Sequence, residues 1–284
     1  MKIYMHVNYL EHMFSIEEIT ARAALAGYDG VELRGWDVTG QLPLEEYLCR
    51  CGEAARINKL DLVFGCPNET VPECSQDSMQ RLKTVIRMAA RYGAKILNVF
   101  SDGIKGEGTP YHHFEQNGSS LATDEDFART AVYFRQAAED AAEYGIDLCF
   151  EIHNCYLHDM ATPTVKLLKQ VARENVKANF DYGNIFLNRN NLGLDRELAI
   201  LSSRIGYAHI KNVVAYNHYE SRLLRGAPLG EGDINIYMLM QKLLATGFKG
   251  PLAIENILLG DKRRYVDEDL NYLRLIIDEL TGVH

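Results

Sequence analysis

Eight times along the chain a short apolar run is followed by a longer amphipathic stretch, and few folds accommodate such an alternation. The apolar runs span Lys2–Val7, Tyr28–Leu33, Leu60–Cys66, Ala94–Phe100, Asp147–Glu151, Val176–Phe180, Ile205–Ile210 and Pro251–Glu255. Between them lie helical patterns. Ser15 and Thr123 stand where N-caps belong, with Glu18 and Asp126 three residues on, and Gly27 and Gly93 stand where helices stop. Pro43 and Thr162-Pro163 open two further helices. The remaining helical stretches are Gln76–Tyr92, Asp195–Ser203, Asp233–Thr246 and Val266–Leu280. Short buried strands alternating with amphipathic helices predict a parallel sheet with helical crossovers. Eight such units in 284 residues predict a closed (β/α)8 barrel forming one domain over residues 1–284. The rival is an open doubly wound sheet. It calls for a Gly-rich phosphate turn after an early strand, and no GxGxxG is present. Two long loops interrupt the pattern, Ser101–Ala122 and Asn212–Gly232.

Composition narrows the class. A hydrophobic fraction of 47% supplies ample core, and a net charge of −9 argues against a nucleic-acid-binding surface. No apolar run approaches membrane-spanning length, so no membrane partner is expected. The first residues, MKIYMHVNYLEHM, read as a strand rather than a secretory signal. The six cysteines (Cys49, Cys51, Cys66, Cys74, Cys149 and Cys155) follow no CxxC or framework spacing, which predicts reduced thiols and a cytoplasmic protein.

In a (β/α)8 barrel, function sits where the strands end at their C-terminal rim. Leu148-Cys149-Phe150-Glu151-Ile152-His153 is an apolar run closed by a carboxylate, with an imidazole two residues on. Residues i and i+2 of a strand share a side, so Glu151 and His153 project together. Later strands repeat the device with Asp181, His209 and Glu255, separated from one another and from Glu151 by 30, 28 and 46 residues. Three carboxylates on one rim would repel unless a cation joined them. Oxygen-rich ligation with one imidazole suits Mn2+, Mg2+ or Co2+, with Zn2+ less natural.

These residues carry a family resemblance. The chain resembles the xylose isomerase-like TIM barrels, the sugar phosphate isomerase/epimerase superfamily that also includes endonuclease IV-type enzymes. The motifs are Gly27-Tyr28-Asp29-Gly30-Val31-Glu32-Leu33, Phe150-Glu151-Ile152-His153-Asn154, Phe180-Asp181-Tyr182-Gly183-Asn184, His209-Ile210-Lys211, Pro228-Leu229-Gly230-Glu231-Gly232-Asp233, and Gly247-Phe248-Lys249-Gly250 running into Ile254-Glu255. The resemblance implies that Glu151, Asp181, His209 and Glu255 bind one divalent ion, often manganese. It also implies that Glu151 and Glu255 move protons while ligating it.

Two departures narrow the expectation. Ketose 3-epimerases of this superfamily place a histidine three residues after the strand-6 aspartate, where this chain has Asn184. The endonuclease branch needs further histidines on strands 3 and 4, which end here in Phe64-Gly65-Cys66 and Asn98-Val99-Phe100. A trinuclear phosphodiesterase is therefore not expected.

The expected activity is that of a sugar or sugar phosphate isomerase or epimerase, working by proton transfer through a metal-stabilised enediolate. The runner-up is a dehydratase of the inosose or dehydroshikimate kind, or a lyase acting on an oxidised sugar. A non-catalytic sugar-binding module is disfavoured, because binding alone needs no such cluster of carboxylates. His153, Asn184, Lys211, Arg222 and Glu32 are the candidate substrate contacts. For Glu32 a structural hydrogen bond within the barrel is the competing role, and for His153 it is the orientation of a ligand. Arg222 and Arg225 could clamp a phosphate or carboxylate, or be solvated surface arginines. Tyr111, His112, His113 and Phe114 suggest a lid or a contact with a second subunit, since barrels of this type commonly form homo-oligomers. Trp36 could stack on a sugar ring or simply pack against its own loop.

Overall fold

A computed structural model describes the chain except residues 67–74, 111, 219, 220, 256, 259, 283 and 284, and except the side chains of 216–218 and 221–224. Eight parallel strands close into a barrel. They are β1 (Ile3–His6), β2 (Gly30–Arg34), β3 (Asp61–Cys66), β4 (Ile96–Val99), β5 (Asp147–Glu151), β6 (Val176–Asp181), β7 (Ile205–Ile210) and, last in the chain, β10 (Leu252–Ile254). Neighbours in sequence pair in space, and β10 closes the ring between β7 and β1.

The outer ring consists of α1 (Ile16–Ala26), α2 (Leu44–Ile57), α3 (Gln76–Arg91), α4 (Asp124–Ala142), α5 (Ala161–Val171), α7 (Leu194–Leu201), α8 (Ile236–Ala245) and α9 (Tyr265–Thr281). Each packs against the next, and α9 returns to α1. The caps foreseen in sequence are in place. Ser15 with Glu18 and Thr123 with Asp126 form full capping boxes, and Gly27 ends α1 in the left-handed region at φ 96°.

Three segments differ from expectation. The stretch after β7 is not a plain loop: β8 (Asn212–His218) and β9 (Ser221–Ala227) form an antiparallel hairpin. A short helix, α6 (Tyr182–Leu187), starts directly from Asp181, whose side chain caps it by accepting the Asn184 amide. The loop before α4 carries 3-10 turns at Phe114–Gln116 and Gly118–Ser120. Phe114 is buried in the core there, so it is not part of a solvent-facing lid. Tyr111 lies outside the described residues.

The strands sort their side chains by alternation. Outward-facing residues such as Val31, Leu33, Leu97, Leu148, Phe150, Phe180 and Ile210 join the helices in one extended core. Inward-facing Tyr4, Val63, Ile96, Cys149, Tyr207 and Ala253 fill the bottom of the lumen. Above this apolar floor the lumen turns polar. Cys49, Cys51, Cys66 and Cys149 are free thiols, and Cys74 lies outside the described residues. Among the described residues no helix is long and apolar enough to cross a membrane.

Candidate metal centre

The polar layer sits at the C-terminal ends of β5, β6, β7 and β10. Glu151 and Asp181 are the last residues of their strands, His209 is the penultimate residue of β7, and Glu255 directly follows β10. Parallel register sets Asp181 beside His209, and His209 beside Ala253. One donor atom each from Glu151, Asp181, His209 and Glu255 lies within 4.8 Å of the other three, and all four residues are buried. His209 Nδ1 stands 3.5 Å from Glu151 Oε2, 3.6 Å from Glu255 Oε2 and 3.8 Å from Asp181 Oδ2. These are too long for good hydrogen bonds, and Nδ1 has no hydrogen-bond partner. Buried polar atoms are nearly always satisfied. An unpartnered imidazole nitrogen facing three carboxylate oxygens therefore fits a divalent cation, and the oxygen-rich donor set suits a hard ion.

Lys211, also buried, bridges the cluster with Nζ at 2.7 Å from Asp181 Oδ2 and 2.7 Å from Glu255 Oε2. Burial tends to push every carboxyl here upward, and the local charges then separate them. Burial raises Glu151, with Glu255 adding to it and His209 opposing. Burial likewise raises Asp181 above the usual range. For Glu255 the same burial is outweighed by Lys211 and His209, which hold it well below that range. Burial alone would lower His209, but Glu32 and Glu151 raise it.

A second tier lies beneath. Glu32, 1% exposed, accepts from Tyr207 Oη at 2.8 Å and from Asn98 Nδ2 at 2.8 Å, and its Oε2 is 2.7 Å from His209 Nε2. Despite its burial, His209, His6 and Tyr207 bring its carboxyl down to about 2. On the β1 side, Asn8 Nδ2 donates to Glu255 Oε1 at 2.7 Å, and Arg34 pairs with both oxygens of Glu11 at 2.9 Å. A cavity of about 430 Å³ is lined in part by Asn8, Glu11, His12, Leu258 and Lys262, and Asn8 is the lining residue that also bonds Glu255.

The structure thus brings Glu151, Asp181, His209, Glu255, Lys211, Asn184 and Glu32 into one buried cluster. Asn184 Nδ2 donates to Ile152 O at 3.0 Å, Asp181 Oδ2 at 3.0 Å and Glu151 Oε1 at 3.3 Å. His153 lies at the edge, half-buried, with Nδ1 at 3.0 Å from Asn154 O and its ring packed edge-on against Phe100 and Tyr156. The Arg222 side chain is outside the described residues, and Arg225 is exposed. Trp36 is half-buried, with the Arg34 guanidinium 5.6 Å from its ring. Sequence reasoning did not single out His6, Asn8, Asn98, Asn179 or Tyr207. His6, Asn98, Asn179 and Tyr207 face inward on their strands, while Asn8 lies in the 3-10 turn Val7–Tyr9 that follows β1. Only Asn179 and Tyr207 carry a signal, each standing two residues before a residue of the converging set.

Fold and site together define a (β/α)8 barrel with a buried acid–histidine cluster at its C-terminal rim. The chain belongs to the xylose isomerase-like TIM barrel family, whose model matches residues 20–276. No curated protein matches the sequence. Among solved structures, the D-psicose 3-epimerase from Clostridium cellulolyticum H10, determined with D-tagatose, is 16% identical with a TM-score of 0.76, covering 98% of this chain and 99% of that one. A xylose isomerase-like TIM barrel protein from Mycobacterium smegmatis, in complex with magnesium, is 16% identical with a TM-score of 0.75, covering 99% and 97%. The probable 3-DHS dehydratase from Bacillus anthracis, involved in petrobactin synthesis, is 17% identical with a TM-score of 0.73, covering 96% and 99%. At these identities the likeness carries the fold.

Proposed function

We propose that the protein is a divalent-metal-dependent isomerase or epimerase of a sugar or sugar phosphate. The observation that carries this reading is the unpartnered His209 Nδ1 facing Glu151, Asp181 and Glu255. These four residues would hold one ion, with Mn2+ the favoured candidate and Mg2+, Co2+ and Zn2+ the alternatives. When bound, such an ion polarises a hydroxy-carbonyl group and stabilises the enediolate charge. Glu151 and Glu255 are the proposed acid/base pair, since they come from non-adjacent strands of the same cluster. His153 and Lys211 are the proposed contacts to substrate oxygens, and Arg222 to a phosphate or carboxylate if the substrate has one. In this reading Asn184 and Glu32 act on the ligands rather than on the sugar, because their polar atoms are already engaged there. The cavity at Asn8 would take the far end of the substrate. The epimerase and dehydratase structures that share the fold support a small carbohydrate-like substrate.

A lyase or dehydratase is the second reading, and Asn184 favours it. Its amide is occupied by Glu151, Asp181 and Ile152, and it carries no titratable proton where the ketose 3-epimerases have histidine.

Metal analysis of the purified protein and of Glu151→Gln and Asp181→Asn tests the site; full metal content in both variants would sink it. Incubation with Mn2+ and a panel of ketoses in D2O tests the reaction. Solvent deuterium entering a C–H position supports the isomerase, whereas water loss from a keto-inositol without exchange on any ketose supports the lyase.

A further inference from the structure

We propose that Glu32 is a positioning residue: one buried carboxylate orients the His209 ring directly and the Glu151 carboxylate through Asn98. The inference rests on the metal-site reading above.

The geometry is specific. Glu32 Oε2 lies 2.7 Å from His209 Nε2, and Oε1 accepts from Asn98 Nδ2 at 2.8 Å. The same Asn98 Nδ2 donates to Glu151 Oε2 at 2.7 Å. Asn179 Nδ2 donates to Asn98 Oδ1 at 3.0 Å, which fixes the amide of Asn98 with its nitrogen toward the two glutamates. Both oxygens of Glu32 already accept, Oε1 from Asn98 and Oε2 from Tyr207, so it serves His209 as an acceptor too and the partner Nε2 carries the proton. The lone pair needed for a metal then falls on Nδ1, the atom that faces the carboxylates without a partner. Buried as it is, Glu32 is not among the four residues whose donor atoms converge. It therefore acts through His209 and Asn98. Outer partners of this type hold ring orientation and raise ligand basicity.

A glutamine at position 32 cannot replace it. Facing its oxygen to His209 sets its amide group against the Asn98 amide, and the reverse sets a donor against His209 Nε2. Either way one ligand loses its orientation.

The test uses the full-length protein. Mn2+ affinity is read from the electron paramagnetic resonance of free Mn2+. Glu32→Gln should weaken it by about 10–100-fold, the usual effect of losing such a partner. Nitrogen-15 NMR of labelled histidine, with and without Mg2+, should show His209 Nε2–H as a downfield proton slow to exchange in the wild type. That signal should shift or vanish in Glu32→Gln. A general structural role would not displace this one ring proton. Asn98→Asp, isosteric but without the donor, should weaken Mn2+ binding while leaving the ring signal in place. Should Glu32→Gln fail to fold, the wild-type ring signal and Asn98→Asp still decide the matter. A wild-type ring protonated at Nδ1 in the Mg2+ form, or wild-type Mn2+ affinity in both variants, overturns the proposal. If the wild type binds no Mn2+, the metal-site reading falls, while the ring proton of the metal-free protein still tests the Glu32–His209 contact.

Discussion

Lys211 and Asp181 form an ion pair sealed from solvent, Nζ to Oδ2 at 2.7 Å, with the two side chains 3% and 0% exposed. The pair lies within the acid–histidine cluster, and the same ammonium reaches Glu255 at 2.7 Å. Lys211 thus supplies, from the chain itself, positive charge that the carboxylates need. Removing one partner of a buried pair leaves an uncompensated charge, which typically costs about 3–5 kcal/mol. Lys211→Met should lose about that much stability in metal-free protein. Added Mn2+ should recover more stability in the variant than in wild type, because the ion then becomes the main counter-charge. Denaturant unfolding with and without Mn2+ reads both effects. Equal stability of the two metal-free proteins would show that the pair has no such role.

Asn184 should tolerate its isostere badly. Its side-chain nitrogen donates to Ile152 O, Asp181 Oδ2 and Glu151 Oε1. Asn184→Asp keeps the shape but turns that donor into an acceptor facing two carboxylates. Leaving buried acceptors unmatched costs about 1–3 kcal/mol. The expected outcome is a loss of that size in unfolding free energy, with turnover falling further than stability because Glu151 is no longer held. A variant with wild-type kcat would remove Asn184 from the positioning of Glu151.

Gly183 explains part of the Phe180-Asp181-Tyr182-Gly183-Asn184 motif. A Cβ there would come within 2.5 Å of Lys211 Cγ and 3.2 Å of Asp181 Oδ1. The glycine is needed for close approach rather than for a turn. Gly183→Ala should displace Lys211 without removing any of the four converging residues. Metal content should persist while turnover drops by at least tenfold. Retained activity would mean that the lysine stem moves aside freely.

What the sequence disclosed and what it hid follow one physical line. The eight strands were legible because each is an apolar run bounded by helix caps and glycines. Glu151, Asp181, His209 and Glu255 stood out because each interrupts or ends such a run. Asn98 was missed because Ile96-Leu97-Asn98-Val99 is a strand of four residues, too short for alternation to show that its one polar residue faces the lumen. The β8–β9 hairpin reads as a loop in sequence because its strands, Asn212–His218 and Ser221–Ala227, mix polar and apolar residues without regular alternation. Short α6 escaped because it follows Asp181 with no intervening loop, and its cap is the strand residue itself. The depth of Glu32 was not legible either, since sequence position gives the strand end but not how far below the rim a side chain lies.

Asp159 offers a pH-dependent test away from the cluster. Its side chain is buried; Oδ2 accepts the Ser119 amide at 3.0 Å, while Oδ1 has no partner. Burial pushes its carboxyl up from 3.8 to about 6, with Glu197 adding and the Ser119 hydrogen bonds opposing. A raised pKa means that the folded protein holds the proton more tightly than the unfolded chain. The stability that Asp159 contributes is therefore full below about pH 3.8 and is lost as pH rises through about 6. Above that window a buried, half-satisfied charge remains as a penalty. Asp159→Asn keeps an oxygen for the Ser119 amide and removes the charge. At pH 7 the variant should be more stable than wild type, by on the order of 3 kcal/mol at most. The advantage should shrink as pH falls through the window and be gone near its lower end. Denaturant unfolding of both proteins at several pH values between 4 and 7 measures the difference. Curves that stay parallel across that range would mean that Asp159 keeps an ordinary carboxyl in the folded protein.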